Sequence, residues 1–161
     1  MDNLALYAFD HFGDALLQYA CCCTGSRPEA EDIVQDVLLA LHASPPKTIS
    51  DDDHLQAWLF CAIRNRARNY HRSWWKQKRS DIAPADEPRT ASPEENAALL
   101  DIIYSLPKPY ASVLYLYYVQ RYSIKDIAKV QRKSENTIGS LLRRGRQKLK
   151  LKLESEEVAD L

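Results

Sequence analysis

Between Arg64 and Arg79 the chain reads RNRARNYHRSWWKQKR, and here its side chains could do chemistry. Seven Arg or Lys and no acid interleave with Asn65, Asn69, Tyr70, His71, Trp74 and Trp75. Aromatic faces stack on unpaired bases, cations neutralise phosphates, and side-chain amides pair with base edges. The combination suits a nucleic-acid strand held out of its duplex. The competing reading is structural, with the tryptophans packing a linker or a second domain.

A second basic stretch, TIGSLLRRGRQKLKLKL over 137–153, holds six Arg or Lys and no acid. It lies in a helix-turn-helix pattern. Ser123 can cap a short helix whose Ile124, Ile127 and Ala128 face inward, and Gln131-Arg132-Lys133 make a turn. Ser134 then caps a longer helix held by Ile138, Leu141 and Leu142. Glu135, Asn136, Thr137 and Ser140 project from its first turns, with Arg143, Arg144 and Arg146 further on. Such polar groups reach base edges in a major groove while the cations meet phosphates. A charged, solvated helix end is the alternative. Catalysis has no comparable foothold. There is no HExxH, no Gly-rich phosphate loop and no paired nucleophile and base, and His11, His42, His54 and His71 are scattered. Neither a cofactor nor a metal site is expected.

The elements that must position these residues read as helices. The chain has only 4 Gly among 161 residues, 45 % hydrophobic content and little period-two alternation. Leu6, Phe9, Phe12, Leu16, Leu17 and Ala20 recur at helical spacing from Leu4 to about Cys22, and Gly25 suits the stop. In SRPEAEDIVQDVLLALH, Ser26 and Glu29 have capping-box spacing and Pro28 fits the first turn. Ile33, Val34, Val37, Leu38 and Leu41 make its apolar face, leaving Asp32, Gln35, Asp36 and Leu39 off it. ASPPKTISDDD is a loop. Asp53 and Gln56 resemble a second capping box, opening a helix with Leu55, Trp58, Leu59, Ala62 and Ile63 buried. SDIAPADEPRTAS has no periodicity and divides the chain in two. Beyond it, Ser92 to Glu95 cap a segment running to Leu106, followed by helices over Tyr110–Gln120, Ser123–Val130 and Ser134 to about Leu153.

Formal charge is zero, yet it is strongly segregated. Residues 1–63 hold ten acids against two bases, and residues 106–153 hold twelve bases against two acids. Two basic blocks flanked by acidic ones suggest a polyanion contacted at two places. No stretch approaches the ~18 apolar residues of a membrane span, and the acidic, broken N-terminus is no signal peptide. A cytoplasmic protein without membrane insertion is expected. Cys21, Cys22 and Cys23 are adjacent and Cys61 is remote, which fits buried thiols better than a disulfide framework or a zinc site. A redox or metal role is the alternative.

Taken together, these stretches resemble the extracytoplasmic-function (ECF) sigma factors of bacterial RNA polymerase. EAEDIVQDVLLALH resembles the acidic helix of region 2, and AWLFCAIRNRARNYHR resembles the promoter-melting helix that follows. LPKPYASVLYLYYVQRYSIKDIA and SENTIGSLLRRGRQKL resemble region 4. The resemblance implies an all-α fold of two small domains: region 2 over 1–79, a flexible linker over 80–96, region 4 over 97–153, and an acidic tail over 154–161.

It also implies roles. Asp32, Gln35, Asp36 and Leu39 would face the clamp coiled coil of core RNA polymerase, with region 4 on its flap. The loop near 44–53, with Asn65 and Asn69, would receive a flipped base of the single-stranded minus-10 element. Arg68, Arg72, Trp74 and Trp75 would hold the strand. Ser134, Glu135, Asn136, Thr137, Ser140, Arg143 and Arg144 would read the minus-35 duplex, and an anti-sigma factor is an expected partner. Two departures stand out. Val130-Gln131-Arg132 replaces the usual Leu-Gly turn, and Thr137-Ile138-Gly139-Ser140 lacks the usual cations. Gly139 costs ~1 kcal/mol relative to Ala, either to admit DNA closely or as the mark of a weakened reader. A sigma-like decoy that titrates a regulator and a plain helix-turn-helix regulator are the rival readings.

Overall fold

The computed structural model describes residues 3–77 and 97–159, with side chains described up to Asn69 and from Ala97 to Ser155. It divides into two compact units, Met1–Glu87 and Pro88–Leu161. The 80–96 linker and the Ser92–Glu95 cap lie outside the described residues.

The first unit is a three-helix bundle of α1 (Leu4–Thr24), α2 (Arg27–Ala43) and α3 (Asp52–Gln77). Local chemistry sets the corners. The Asn3 side chain accepts from the Leu6 amide at 3.0 Å, and Gly25 ends α1 in the left-handed region at φ 72°. The Ser26 side chain then accepts from the Glu29 amide, as the capping spacing predicts. The cap on α3 differs from expectation: Asp51, not Asp53, accepts from the His54 amide at 2.8 Å, and the helix begins at Asp52. In an aspartate run any member can cap, and the helix takes the earliest one its downstream packing permits.

Leu16, Tyr19, Ile33, Leu41, Leu55, Leu59, Phe60 and Ile63 fill the core, where Tyr19 meets Phe60 edge-on at 5.0 Å between centroids. Of the residues at helical spacing in α1, Leu6 and Phe9 are 55 % and 58 % exposed, because α1 carries two apolar stripes and only the one through Ala8, Leu16 and Tyr19 faces the bundle. One expectation for α3 needs correction. Trp58 and Ala62 are half-buried. At about 100° per residue, Trp58 lies about 100° and Ala62 about 60° from the centre of the stripe through Leu55, Leu59 and Ile63.

The second unit comprises α4 (Ala97–Tyr104), α5 (Lys108–Leu114), a five-residue π-helical turn (Tyr115–Val119), α6 (Ile124–Gln131) and α7 (Glu135–Ala159). The expected Tyr110–Gln120 helix is thus interrupted. The Gln120 amide bonds to the Tyr115 carbonyl at 3.2 Å, and the Gln120 side chain donates to the buried Tyr115 hydroxyl at 2.7 Å. That second bond satisfies a phenol otherwise buried in the core. Ile127, Ile138 and Leu142 are buried as expected, whereas Ile124 and Leu141 are half-buried. Gly145 lies where α5 crosses α7: a Cβ there would sit 3.2 Å from Leu114. Past Leu153, α7 continues to Ala159, since Glu and Ala are good helix formers and no breaker intervenes.

Candidate nucleic-acid interface

The half-buried flank of α3 faces α2 across a cleft of about 500 Å³. Trp58, Ala62, Asn65, Arg66 and Asn69 line it from α3, and Val37, Ala40 and Ser44 line it from α2 and its C-cap. The α3 set follows the i, i+4, i+7, i+8, i+11 pattern of one helix face. The two asparagines that interleave with the cations therefore share a cleft, with an indole beside them and an arginine at its rim. Amide donors and acceptors, a ring face and a cation are what a single base needs.

Of the loop at 44–53, Ser44 alone lines this cleft. Pro45, Pro46, Ile49, Ser50, Asp51 and Asp52 line a second cavity of about 510 Å³, with Tyr7 and His42. The loop is held from its far side: the Ser50 amide reaches His54 Nδ1 at 3.3 Å, and Asp52 accepts from Tyr7. Arg68 is exposed on α3, next to Asn69. Arg72, Trp74 and Trp75 belong to the last turns of α3, and their side chains lie outside the described residues. Ser44 is the one residue of the expected 44–53 loop to join the cleft. Trp58 joins it without having been marked as a site residue, because a tryptophan in an apolar stripe reads as core.

On the opposite side of α2, Asp32, Gln35, Asp36 and Leu39 are all exposed, Leu39 at 60 %. Gln35 and Leu39 line a groove of about 870 Å³ between α1 and α2, together with Leu6, Phe9 and Leu17 and with the carboxylates of Asp10, Asp14 and Glu31. Asp32 and Asp36 lie outside the groove lining. The exposed apolar stripe of α1 thus adjoins the acidic face of α2.

In the second unit, Ser134 caps α7: its hydroxyl accepts from the Thr137 amide at 3.1 Å and lies 2.8 Å from the Thr137 hydroxyl. Glu135, Asn136, Thr137, Arg143 and Arg144 are exposed, and Ser140 is half-buried. Asn136, Ser140 and Arg143 recur at i, i+4, i+7 on the side away from the buried Ile138, Leu142 and Leu149. Arg146 is different: its guanidinium lies 5.1 Å from the Tyr117 ring centroid and 5.9 Å from that of Tyr118, so it holds α7 to the π turn.

Comparison with known proteins decides what carries these surfaces. Residues 8–77 match the Sigma-70 region 2 family and residues 96–149 match Sigma-70, region 4. The ECF RNA polymerase sigma factor SigL of Mycobacterium tuberculosis is 29 % identical over 155 residues, covering 91 % of this chain and 86 % of SigL. The chain is an ECF sigma factor of the sigma-70 family.

RNA polymerase sigma factor SigZ of Bacillus subtilis is 26 % identical over 153 residues, covering 91 % of this sigma factor and 85 % of SigZ. The fold is also that of the sigma factor RpoE from Bartonella quintana, solved in complex with the anti-sigma factor NepR. The TM-score is 0.68 at 23 % identity, covering 92 % of this chain and 96 % of that one. Members of the family bind core RNA polymerase and promoter DNA and are non-catalytic initiation factors. This sigma factor accordingly directs transcription initiation as an alternative specificity subunit. Among the described residues no helix is long and apolar enough to cross a membrane.

Cys21, Cys22 and Cys23 are buried where α1 ends. Burial pushes the Cys21 thiol up to about 11, against a smaller opposing pull from Arg27, and pushes Cys22 well above its ordinary value. A thiol held protonated is a poor nucleophile, which favours packing over redox chemistry here.

Proposed function

We propose that the α2–α3 cleft receives a flipped base of the minus-10 element while α7 reads the minus-35 duplex. The observation that carries this reading is the convergence of Asn65 and Asn69 with Trp58 and Ser44 in one cleft. An unstacked base presents a π face and a donor–acceptor edge, and the cleft offers a partner for each. Arg68, Arg72, Trp74 and Trp75 hold the strand beyond it. On α7, Ser134, Glu135, Asn136, Thr137 and Ser140 face base edges while Arg143 and Arg144 neutralise phosphates.

Asp32, Gln35, Asp36 and Leu39 dock on the polymerase clamp coiled coil, with Leu6 and Phe9 widening the apolar part of that surface, and region 4 meets the flap. The protein works in the cytoplasm, with region 2 over 1–79, a linker over 80–96, region 4 over 97–153 and an acidic tail over 154–161. An anti-sigma factor is a further partner, as it is for RpoE of Bartonella quintana.

The test is promoter opening by holoenzyme reconstituted from core polymerase. Asn65→Ala is expected to impair open-complex formation while leaving core binding intact; equal loss of both would remove Asn65 from the base-binding role. A gel shift with and without core enzyme separates the rival readings. A duplex promoter bound as tightly by the free chain as by the holoenzyme would indicate a plain helix-turn-helix regulator. Failure to engage promoters even with core would indicate a decoy.

A further inference from the structure

Among the described residues, Arg121 at φ 60° and Arg132 at φ 53° are the non-glycine positions with positive φ. Both lie at corners of the helix-turn-helix. The left-handed region crowds a Cβ against the following carbonyl, so helix ends of this kind usually carry Gly and sometimes Asn. Arg132 closes α6: its own amide and that of Lys133 both reach the Ala128 carbonyl, the latter at 3.1 Å. Arg121 closes the π turn, where the Tyr122 amide bonds to the Leu116 carbonyl at 2.9 Å. These backbone bonds call for glycine, and an arginine gains nothing locally by making them.

Nor do the side chains recover the strain within the fold. Both arginines are exposed. Neither has an ion-pair, hydrogen-bond or ring partner among the described residues, whereas Arg27 holds Glu31 at 2.9 Å and Arg146 rests on two tyrosines. Strained backbone of this kind persists where a function needs the side chain it presents. What the two corners share is positive charge and position: Arg121 precedes the Ser123 cap of α6, and Arg132 follows its last residue. An eight-residue helix is about 12 Å long, matching the ~12 Å width of the major groove. In a helix-turn-helix the first helix crosses the DNA backbone while the second enters the groove.

We infer that Arg121 and Arg132 are phosphate clamps at the two ends of α6, positioning the crossing helix on the duplex so that α7 meets the bases. The inference rests on the proposed reading of the minus-35 duplex by α7. Phosphate contacts carry no sequence information, so the clamps set affinity and register rather than promoter choice.

The experiment measures promoter binding by holoenzymes carrying Arg121→Gly, Arg132→Gly, both together, or Arg132→Lys, across a salt series. Thermal unfolding of the free chains is recorded alongside. Each glycine is expected to raise the unfolding midpoint and to weaken binding equally for all minus-35 sequences. The slope of log K against log salt should shallow by about 0.9 per lost contact, and by about twice that in the double variant. Arg132→Lys should keep the slope. Glycine variants that bind with unchanged affinity and slope, or that lose stability, overturn the clamp. Arg143→Ala and minus-35 base changes serve as the separate control. If they still weaken binding, the α7 reading stands without the clamp; if they have no effect, that reading fails first.

Discussion

The Tyr7 hydroxyl lies 2.9 Å from each carboxylate oxygen of Asp52, joining the first turns of α1 to the first residue of α3 across 45 positions of sequence. Tyr7 also stacks on His11 at 4.0 Å, and Tyr7 and Asp52 both line the cavity beside the 44–51 loop. The loop is short of regular structure, so its position depends on such side-chain ties.

Tyr7→Phe removes the donor and keeps the ring. The amides of the first turn of α3 should then exchange faster with solvent while the global unfolding midpoint hardly moves, since the bond is exposed. Raising pH should do the same to the wild type. The bond to Asp52, and the carboxylate charge itself, lift the Tyr7 phenol above its ordinary 10.0, so the tie is intact below pH 10 and is lost as pH climbs through the raised value. Protection factors at residues 52–55, taken against the intrinsic exchange rate at each pH, read both effects, and unchanged protection in Tyr7→Phe would show that the loop does not depend on this tie.

The buried thiols predict a second alkaline effect. An unfolded chain loses the Cys21 proton near 9.0, whereas the fold holds it to about 11. Stability from this group is therefore complete below pH 9 and lost as pH rises toward 11, by on the order of 2 kcal/mol. Urea unfolding at pH 8 and pH 10.5 should show the drop, and Cys21→Ala should reduce it without abolishing it, because Cys22 is held protonated in the same way. In the native protein at pH 8, alkylation mapped by mass spectrometry should mark the half-buried Cys61 well before residues 21–23.

The two glycines of α7 should respond oppositely. Nothing lies within 4 Å of a Cβ placed on Gly139, so Gly139→Ala should stabilise the unit by about 1 kcal/mol. At Gly145 the added carbon would press on Leu114 at 3.2 Å, and overpacking should cost about 1–3 kcal/mol. Denaturant midpoints test both. A Gly139→Ala protein that is more stable yet weaker on minus-35 DNA would mean that the glycine admits close approach of DNA; unchanged binding would make it simply a local flaw in the helix.

Phe9→Ser and Leu39→Asp alter exposed side chains, so each should shift stability by no more than about 0.5 kcal/mol. If the α1–α2 groove docks the polymerase, each should weaken core binding by about tenfold or more, as apolar anchors at an interface do. Competition against the wild-type sigma factor for core enzyme gives the answer, and undiminished competition by both variants would remove the groove from that role.

Much of this molecule can be read along the chain because its signals are local. Ser26, Ser123 and Ser134 each cap the helix their spacing announces, and the basic blocks and the division into two units follow from composition. Among the readings that failed, besides the α3 cap at Asp51 and the π turn that interrupts the Tyr110–Gln120 helix, are those where one helix carries two apolar faces. In α1, Leu6 and Leu16 share a period; in α3, Trp58 and Leu59 are neighbours. Periodicity identifies such faces but not which one a partner helix will cover.

Most helices, the charge segregation and the serine caps at Ser26, Ser123 and Ser134 were thus determined by the sequence alone, since each depends on residues within a few positions of one another. Tertiary structure alone decided that Ser44 at the end of α2 joins Asn65 and Asn69 of α3 in one cleft, and that Leu6 and Phe9 remain outside the core. It also decided the left-handed corners at Arg121 and Arg132, against the local preference of arginine. The physical reason is common to all three. Which face is buried, and which sign φ takes at a corner, depend on where the next helix must pack, and that is a property of the assembled unit.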